Sequence, residues 1–170
     1  MQIFKDTVDN FYKWVKGSEL VELETIDPDE DPVRPELSVE WRTEYGRKIY
    51  GLKHQDNIEG IICVAYTNGV PHSVRELDFM SENAHLKNEC NTAVAYTVWS
   101  RKRGAGKEII EKFKDFVKHK KEITNLVTLS PLTPMATHFH IRNGAKQISL
   151  NPTTQNFKYE LNEKSSGSRV

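Results

Sequence analysis

Three cations and two glycines stand together in Arg101-Lys102-Arg103-Gly104-Ala105-Gly106. Glycine lets a backbone approach a ligand closely, and the helical pattern that follows starts with N–H groups that have no partner inside the helix. Those donors, the positive end of the helix dipole and the three cations suit a phosphate or pyrophosphate. A second kind of chemistry rests on His140, whose imidazole titrates near neutral pH, and on Ser130, whose hydroxyl stands beside Pro131.

The elements that position these residues follow from periodicity. Ala93–Trp99 is an apolar run that reads as a strand, and Ile109, Ile110, Phe113, Phe116 and Val117 form one stripe of a helix, with lysines and glutamates opposite. The glycine turn therefore joins the C-terminal end of a strand to the N-terminal end of a helix. Leu126, Val127 and Leu129 predict a short buried strand closing on Ser130-Pro131. Thr133 as cap and Pro134 at the first position open a second helix over 134–143, which Asn143-Gly144 stops. Residues 146–150 and 157–161 read as the last two strands.

Upstream, Phe4, Val8, Phe11, Trp14 and Val15 predict a helix over 4–16, and ELVELETI a short strand. The alternation in SVEWRTEY predicts a strand over 38–45. RKIYGLKH and GIICVAYTN, either side of a turn at 55–60, predict two more, with 61–66 central. Residues 70–90 fit either a helix or a strand followed by a loop. The stretch 27–36 holds three prolines and five acids and predicts an exposed loop: a solvated connector, or a lid or docking site for a cationic substrate.

The chain of 170 residues is 37% hydrophobic, which suits one globular domain over 1–162 with a flexible tail at 163–170. Lys plus Arg and Asp plus Glu are 24 each, and that balance argues against a general nucleic-acid or membrane-surface binder. Cys63 and Cys90 would allow one disulfide. No signal-like apolar segment opens the chain and no run reaches membrane-spanning length, so a reduced cytoplasmic setting is expected. The six histidines show no ligand spacing, and His138 and His140 point to different helix faces, so no metal site is expected.

Three glycine loops compete for the turn. A Walker A loop needs Lys-Ser/Thr after its last glycine, and here Lys107-Glu108 follows. A dinucleotide fold wants its glycines near the first strand and an acid about 20 residues on. An Arg/Gln-x-x-Gly-x-Gly/Ala turn between a mid-chain strand and a long helix is matched at every fixed position. With Ala136-Thr137-His138-Phe139-His140-Ile141-Arg142-Asn143-Gly144-Ala145 some thirty residues on, the chain resembles the GNAT superfamily of acyl-CoA-dependent acyltransferases from about residue 38 to 161. His140 stands where that family usually has tyrosine.

The resemblance implies an α/β GNAT-like domain with a mixed, mostly antiparallel central sheet, helices on both faces and a splayed strand pair. It implies a CoA pyrophosphate on the N–H groups of Arg103, Gly104, Ala105 and Gly106, with Lys107 adjoining. It also implies a pantetheine arm where the Ala93–Trp99 and Asn125–Leu129 strands splay, with Val98, Trp99, Ser100, Arg101, Lys102 and Asn143 among the cofactor-binding residues. Acetyl-CoA or another acyl-CoA is the expected cosubstrate. The expected partner is an amine acceptor of unknown identity, small molecule or protein, and a homodimer is left open. A narrower resemblance, to the catalytic domain of malonyl-CoA decarboxylases, rests on Leu129-Ser130-Pro131, on Phe139-His140-Ile141-Arg142-Asn143-Gly144-Ala145, and on Asn156-Phe157-Lys158-Tyr159 against that family's Asn-Tyr-x-Tyr. The 170 residues do not include that family's large N-terminal helical domain, nine residues separate Ser130 from His140, and Phe157 replaces a tyrosine.

Acyl transfer to an amine needs a base for the amine, a donor for the thioester oxygen and an acid for the thiolate. His140 is the candidate acid, against the plain alternative of a buried histidine held by a carbonyl. Ser130 could orient the thioester, pair with His140, or merely cap a turn. Tyr159 is an alternative acid or a packing residue. Glu89 and His85 are candidate bases, or simply solvated groups. In a decarboxylase, Ser130 and His140 would instead hold the malonyl carboxylate and stabilise the enolate. Amine acetylation is the first expectation, decarboxylation the second, and a non-catalytic CoA- or partner-binding protein the third.

Overall fold

The computed structural model describes residues 17–161, so the expected helix over 4–16 and the tail at 163–170 lie outside the described residues. Strand β1 (Glu19–Leu23), β2 (Lys48–His54), β3 (Asn57–Thr67) and β4 (Thr92–Ser100) lie side by side and antiparallel. Strand β5 (Asn125–Thr128) then runs parallel to β4. It is followed by the two-residue β6 (Ser130–Pro131), by β7 (Lys146–Leu150) and by β8 (Thr154–Tyr159), which pairs antiparallel with all three. The result is a mixed, mostly antiparallel sheet in the order β1-β2-β3-β4-β5-β8-β6, with β7 on the other side of β8.

Helices cover both faces. On one, α3 (Ala105–Lys118) buries Ile109, Ile110, Phe113 and Val117 against Leu52, Ile62, Val64, Ala95 and Phe157. This is the stripe that the 3.6-residue period predicts, except that Phe116 at its edge is exposed. On the other, Leu77 of α2 (Val74–Lys87) and Trp41 of α1 (Val39–Thr43) pack on Ile49, Ile61, Cys63, Tyr96 and Leu129. Helix α4 (Pro134–Arg142) begins at the Thr133 cap with Pro134 in its first turn, as expected. No helix among the described residues is long and apolar enough to cross a membrane.

Residues 70–90 resolve as helix because Ser73 caps Glu76 N–H and Asn88 closes the end in the left-handed conformation. Residues 38–45 are a correction: they form α1, not a strand. Ser38 accepts from Trp41 N–H at 3.1 Å, and the single turn aims Trp41 edge-on at Tyr96 and sends Arg42 inward. The last strand starts at Thr154 rather than Phe157. Both cysteines are free, and burial pushes the Cys63 thiol up to about 11.

The stretch 27–36 is a second correction, since its interior is not exposed. Asp31 is 1% and Arg42 0% exposed. The Asp31 carboxylate accepts from Arg42 Nη1 at 2.8 Å, from Thr97 Oγ1 at 2.8 Å and from the N–H groups of Val33 and Arg34. Arg42 also donates to the carbonyls of Leu37 and Arg34. A buried pair with its remaining hydrogen-bond sites filled is strongly destabilising to break from one side, because the surviving charge stays buried. Asp31→Ala is expected to lower the unfolding free energy by about 3–5 kcal/mol, read as a shift in urea midpoint at unchanged slope. A shift under about 1 kcal/mol would contradict a network of that kind.

Candidate functional site

Helices α1, α2 and α4 start on the hydroxyls of Ser38, Ser73 and Thr133, whereas α3 starts on Gly104 with no side-chain cap. Gly104 has φ +86° and open space where a Cβ would be. Ala105 N–H turns back to Lys102 O, and Glu108 N–H makes the next bond, to Gly104 O. The N–H groups of Gly106 and Lys107 between them precede any carbonyl of the helix and point out of its end. Gly106 is required for a different reason: a Cβ there would lie 2.9 Å from Phe139 Cε1 of α4. The side-chain charges are more committed than expected. Arg101 Nη2 pairs with Glu30 Oε1 at 2.6 Å and Lys102 Nζ lies 3.5 Å from Glu59 Oε2, while Arg103 and Lys107 are exposed.

The strand leading to this loop is bulged. Ala95 pairs with Val64 and Thr97 with Cys63, so Tyr96 is the extra residue. There β4 also parts from β5: the last contacts are Ala95 with Thr128 and the Leu129 N–H to Ala95 O bond of 3.0 Å. Beyond them, Ser130–Pro131 turn to pair with β8. Into the divergence from the α1/α2 face reaches Arg34, with Nε to Tyr96 O at 3.0 Å and Nη2 to Leu129 O at 2.9 Å. Past the bulge, Val98 packs on the α3 side, Ser100 is exposed, and Trp99 is buried on the opposite side with its indole N–H unpartnered among the described residues.

On the α3 face, His140 is 6% exposed, boxed by Phe139, Phe157 and Tyr159. Its Nδ1 lies 2.7 Å from the Tyr159 hydroxyl. Burial lowers the imidazole to about 4 and raises the Tyr159 phenol, so both are neutral at pH 7. Ser130 does not pair with His140. Its hydroxyl lies 2.8 Å from that of Thr128, which also accepts Phe157 N–H at 3.1 Å. Thr128 and Ser130, two apart, project to one face, and Thr128, Phe157 and His140 form a continuous row from Ser130 to the imidazole. Phe139 joins this row to Gly106, so loop, gap and His140 form one region.

Other expected residues lie elsewhere. Glu89 lines a polar concavity with Asn68, Cys90 and Glu122 at the N-terminal end of β4, the end away from the loop, and His85 is exposed on the last turn of the neighbouring α2. Asn143 closes α4, donating its Nδ2 to Phe139 O at 2.8 Å. Among the described residues no group of three His, Cys, Asp or Glu could hold a metal ion. Arg34 and Thr128 were not singled out from the sequence. The signal for Arg34 was local: a cation between Pro32 and Pro35 in an acidic stretch.

No protein-family model and no curated protein matches the sequence. Solved structures do. Malonyl-CoA decarboxylase from Rhodopseudomonas palustris superposes with a TM-score of 0.70 at 16% identity, over 97% of this chain and 66% of that one. GphF, a GNAT-like decarboxylase in complex with isobutyryl-CoA, gives 0.65 at 12% identity, over 84% and 99%. An acetyltransferase from Bacillus subtilis in complex with CoA gives 0.55 at 10%, over 84% and 98%. The fold is GNAT-like.

The state of His140 can be read from stability. An imidazole lowered from its ordinary 6.5 to about 4 on folding takes up protons more readily unfolded. Folding stability is then fully present above pH 6.5 and falls as pH drops from 6.5 towards 4. The loss should reach about 3 kcal/mol below pH 4. His140→Gln should flatten that part of the pH–stability curve; an unchanged slope would contradict a buried neutral imidazole.

Proposed function

We propose that this chain acts on a CoA thioester, and that the reaction is loss of CO2 from a carboxyacyl-CoA such as malonyl-CoA. The observation that carries this reading is the buried neutral His140, tied at Nδ1 to Tyr159 and with no hydrogen bond at Nε2 among the described residues. A neutral imidazole is a weak acid for a departing thiolate but a good N–H donor to a developing oxyanion. Breaking the bond between C2 and the carboxylate releases CO2 and leaves the electron pair as an enolate, with its charge on the thioester oxygen. Uptake of one proton at C2 then yields acetyl-CoA. When Tyr159 O–H donates to Nδ1, the imidazole proton sits on Nε2, where it would meet that oxygen. Thr128, which already accepts Phe157 N–H, can give its proton to Ser130 and free the Ser130 proton to hold the acyl group.

In this reading the pyrophosphate lies on the N–H groups at the start of α3, where Gly104 leaves room, and the pantetheine arm lies where β4 and β5 part. The fold likeness to proteins solved with CoA and isobutyryl-CoA supports it. Acetyl transfer to an amine is the second reading, favoured by the complete Arg101-x-x-Gly104-x-Gly106 motif. It would need a base other than Glu89 and His85, which sit at the wrong end of β4.

Malonyl-CoA incubated alone with the protein should give acetyl-CoA and CO2 in equal amounts. Ser130→Ala and His140→Ala should each lower kcat by about 10²–10³-fold, the cost typical of one lost oxyanion donor. Stable malonyl-CoA, or a double variant as active as the parent, would overturn the assignment. CoA release only when amines are supplied would instead favour acyl transfer.

A further inference from the structure

We infer that Arg34 is the residue that selects an anionic acyl group, reading a carboxylate at the far end of the acyl chain from the α1/α2 side of the strand gap. The inference rests on the CoA-thioester reading above and adds to it a residue from the stretch that looked like a solvated connector.

Arg34 is 7% exposed. Its guanidinium spends Nε on Tyr96 O and one N–H of Nη2 on Leu129 O. Among the described residues Nη1 makes no hydrogen bond, and no carboxylate forms an ion pair with this side chain. Of the two acids that act on it, Glu36 and Asp31, Asp31 is committed: both oxygens are taken by Arg42, Thr97 and two N–H groups, one of them that of Arg34 itself. The Glu36 and Asp31 carboxylates act on this cation through space, but its direct hydrogen bonds go to two neutral carbonyls, and buried charges are ordinarily paired more closely than that.

Its placement points to what would pair with it. Tyr96 and Leu129 are the residues at which β4 and β5 separate, so the guanidinium closes one face of the gap while Thr128 and Ser130 project to the other. An acyl chain attached to a thioester in the gap, and directed towards α1 and α2, would run towards this guanidinium. A carboxylate there would meet the free nitrogen in a charge-assisted contact. A methyl group would leave the cation as it is, and a protonated amine would be repelled. The position is held firmly: Asp31 and Arg42 fix the backbone around Arg34, and Pro32 and Pro35 restrict it further.

The test uses two stable thioethers, S-(2-carboxyethyl)-CoA and S-propyl-CoA, with affinities measured by calorimetry at matched ionic strength. The parent protein should bind the carboxylated ligand about tenfold or more tighter, as expected for one hydrogen bond to a charged group. Arg34→Gln should abolish the preference, weakening S-(2-carboxyethyl)-CoA more than S-propyl-CoA, and Arg34→Lys, which keeps the charge, should retain part of it. Should Arg34→Gln fail to fold, the parent's ratio and that of Arg34→Lys still decide. Equal binding of both ligands by the parent, or a preference that survives in Arg34→Gln, would overturn the role of Arg34 and leave the CoA reading standing. Binding of neither ligand would overturn both.

Discussion

Two parallel strands that pair and then separate leave main-chain carbonyls facing a widening space, and a buried carbonyl without a donor is costly. In this protein the separation begins at the Tyr96 bulge. The carbonyls of Tyr96 and Leu129 are met by one side chain, Arg34. A planar guanidinium suits the task because its N–H groups diverge in a fixed fork. What keeps it there is the buried Asp31–Arg42 pair, with Thr97 of β4 as a third member. The open gap and the loop that bridges it are therefore one construction.

The same gap organises the opposite face. Since β5 leaves β4 after Thr128, Ser130 can turn to β8, and Thr128 is free to take the Phe157 N–H and to meet the Ser130 hydroxyl. Strand β8 also carries Tyr159, which holds His140. Helix α4 is tied to this arrangement by Phe139, whose ring packs where a Cβ on Gly106 would lie at the start of α3. An anion held at that helix end and a group lying in the gap would thus be read by residues of one rigid unit.

Much of this was legible in the sequence. The α3 stripe, the glycine turn and the Thr133–Pro134 start of α4 follow from local patterns, whereas His140 stands out through the family resemblance. What was not legible depends on long-range contacts. Arg34 reaches partners 62 and 95 positions away, and nothing in an acidic, proline-rich stretch announces that its cation points inward. Helix α1 is a single turn of five residues, too short for a 3.6-residue period to show above an alternating pattern. The pairing of Ser130 with Thr128 rather than His140 depends on where β5 breaks off, which apolar content alone does not reveal.

The central claim is that the α3 loop, the strand gap and His140 together receive one acyl-CoA. The most direct measurement is a crystal structure of the full chain with S-(2-carboxyethyl)-CoA. The account predicts the pyrophosphate against the N–H groups left open at the start of α3, those of Gly106 and Lys107 among them, the pantetheine arm between β4 and β5, and the sulfur on the His140 side of the gap. A ligand lying elsewhere on the surface, with β4 and β5 still bridged by Arg34 and nothing between them, would contradict it.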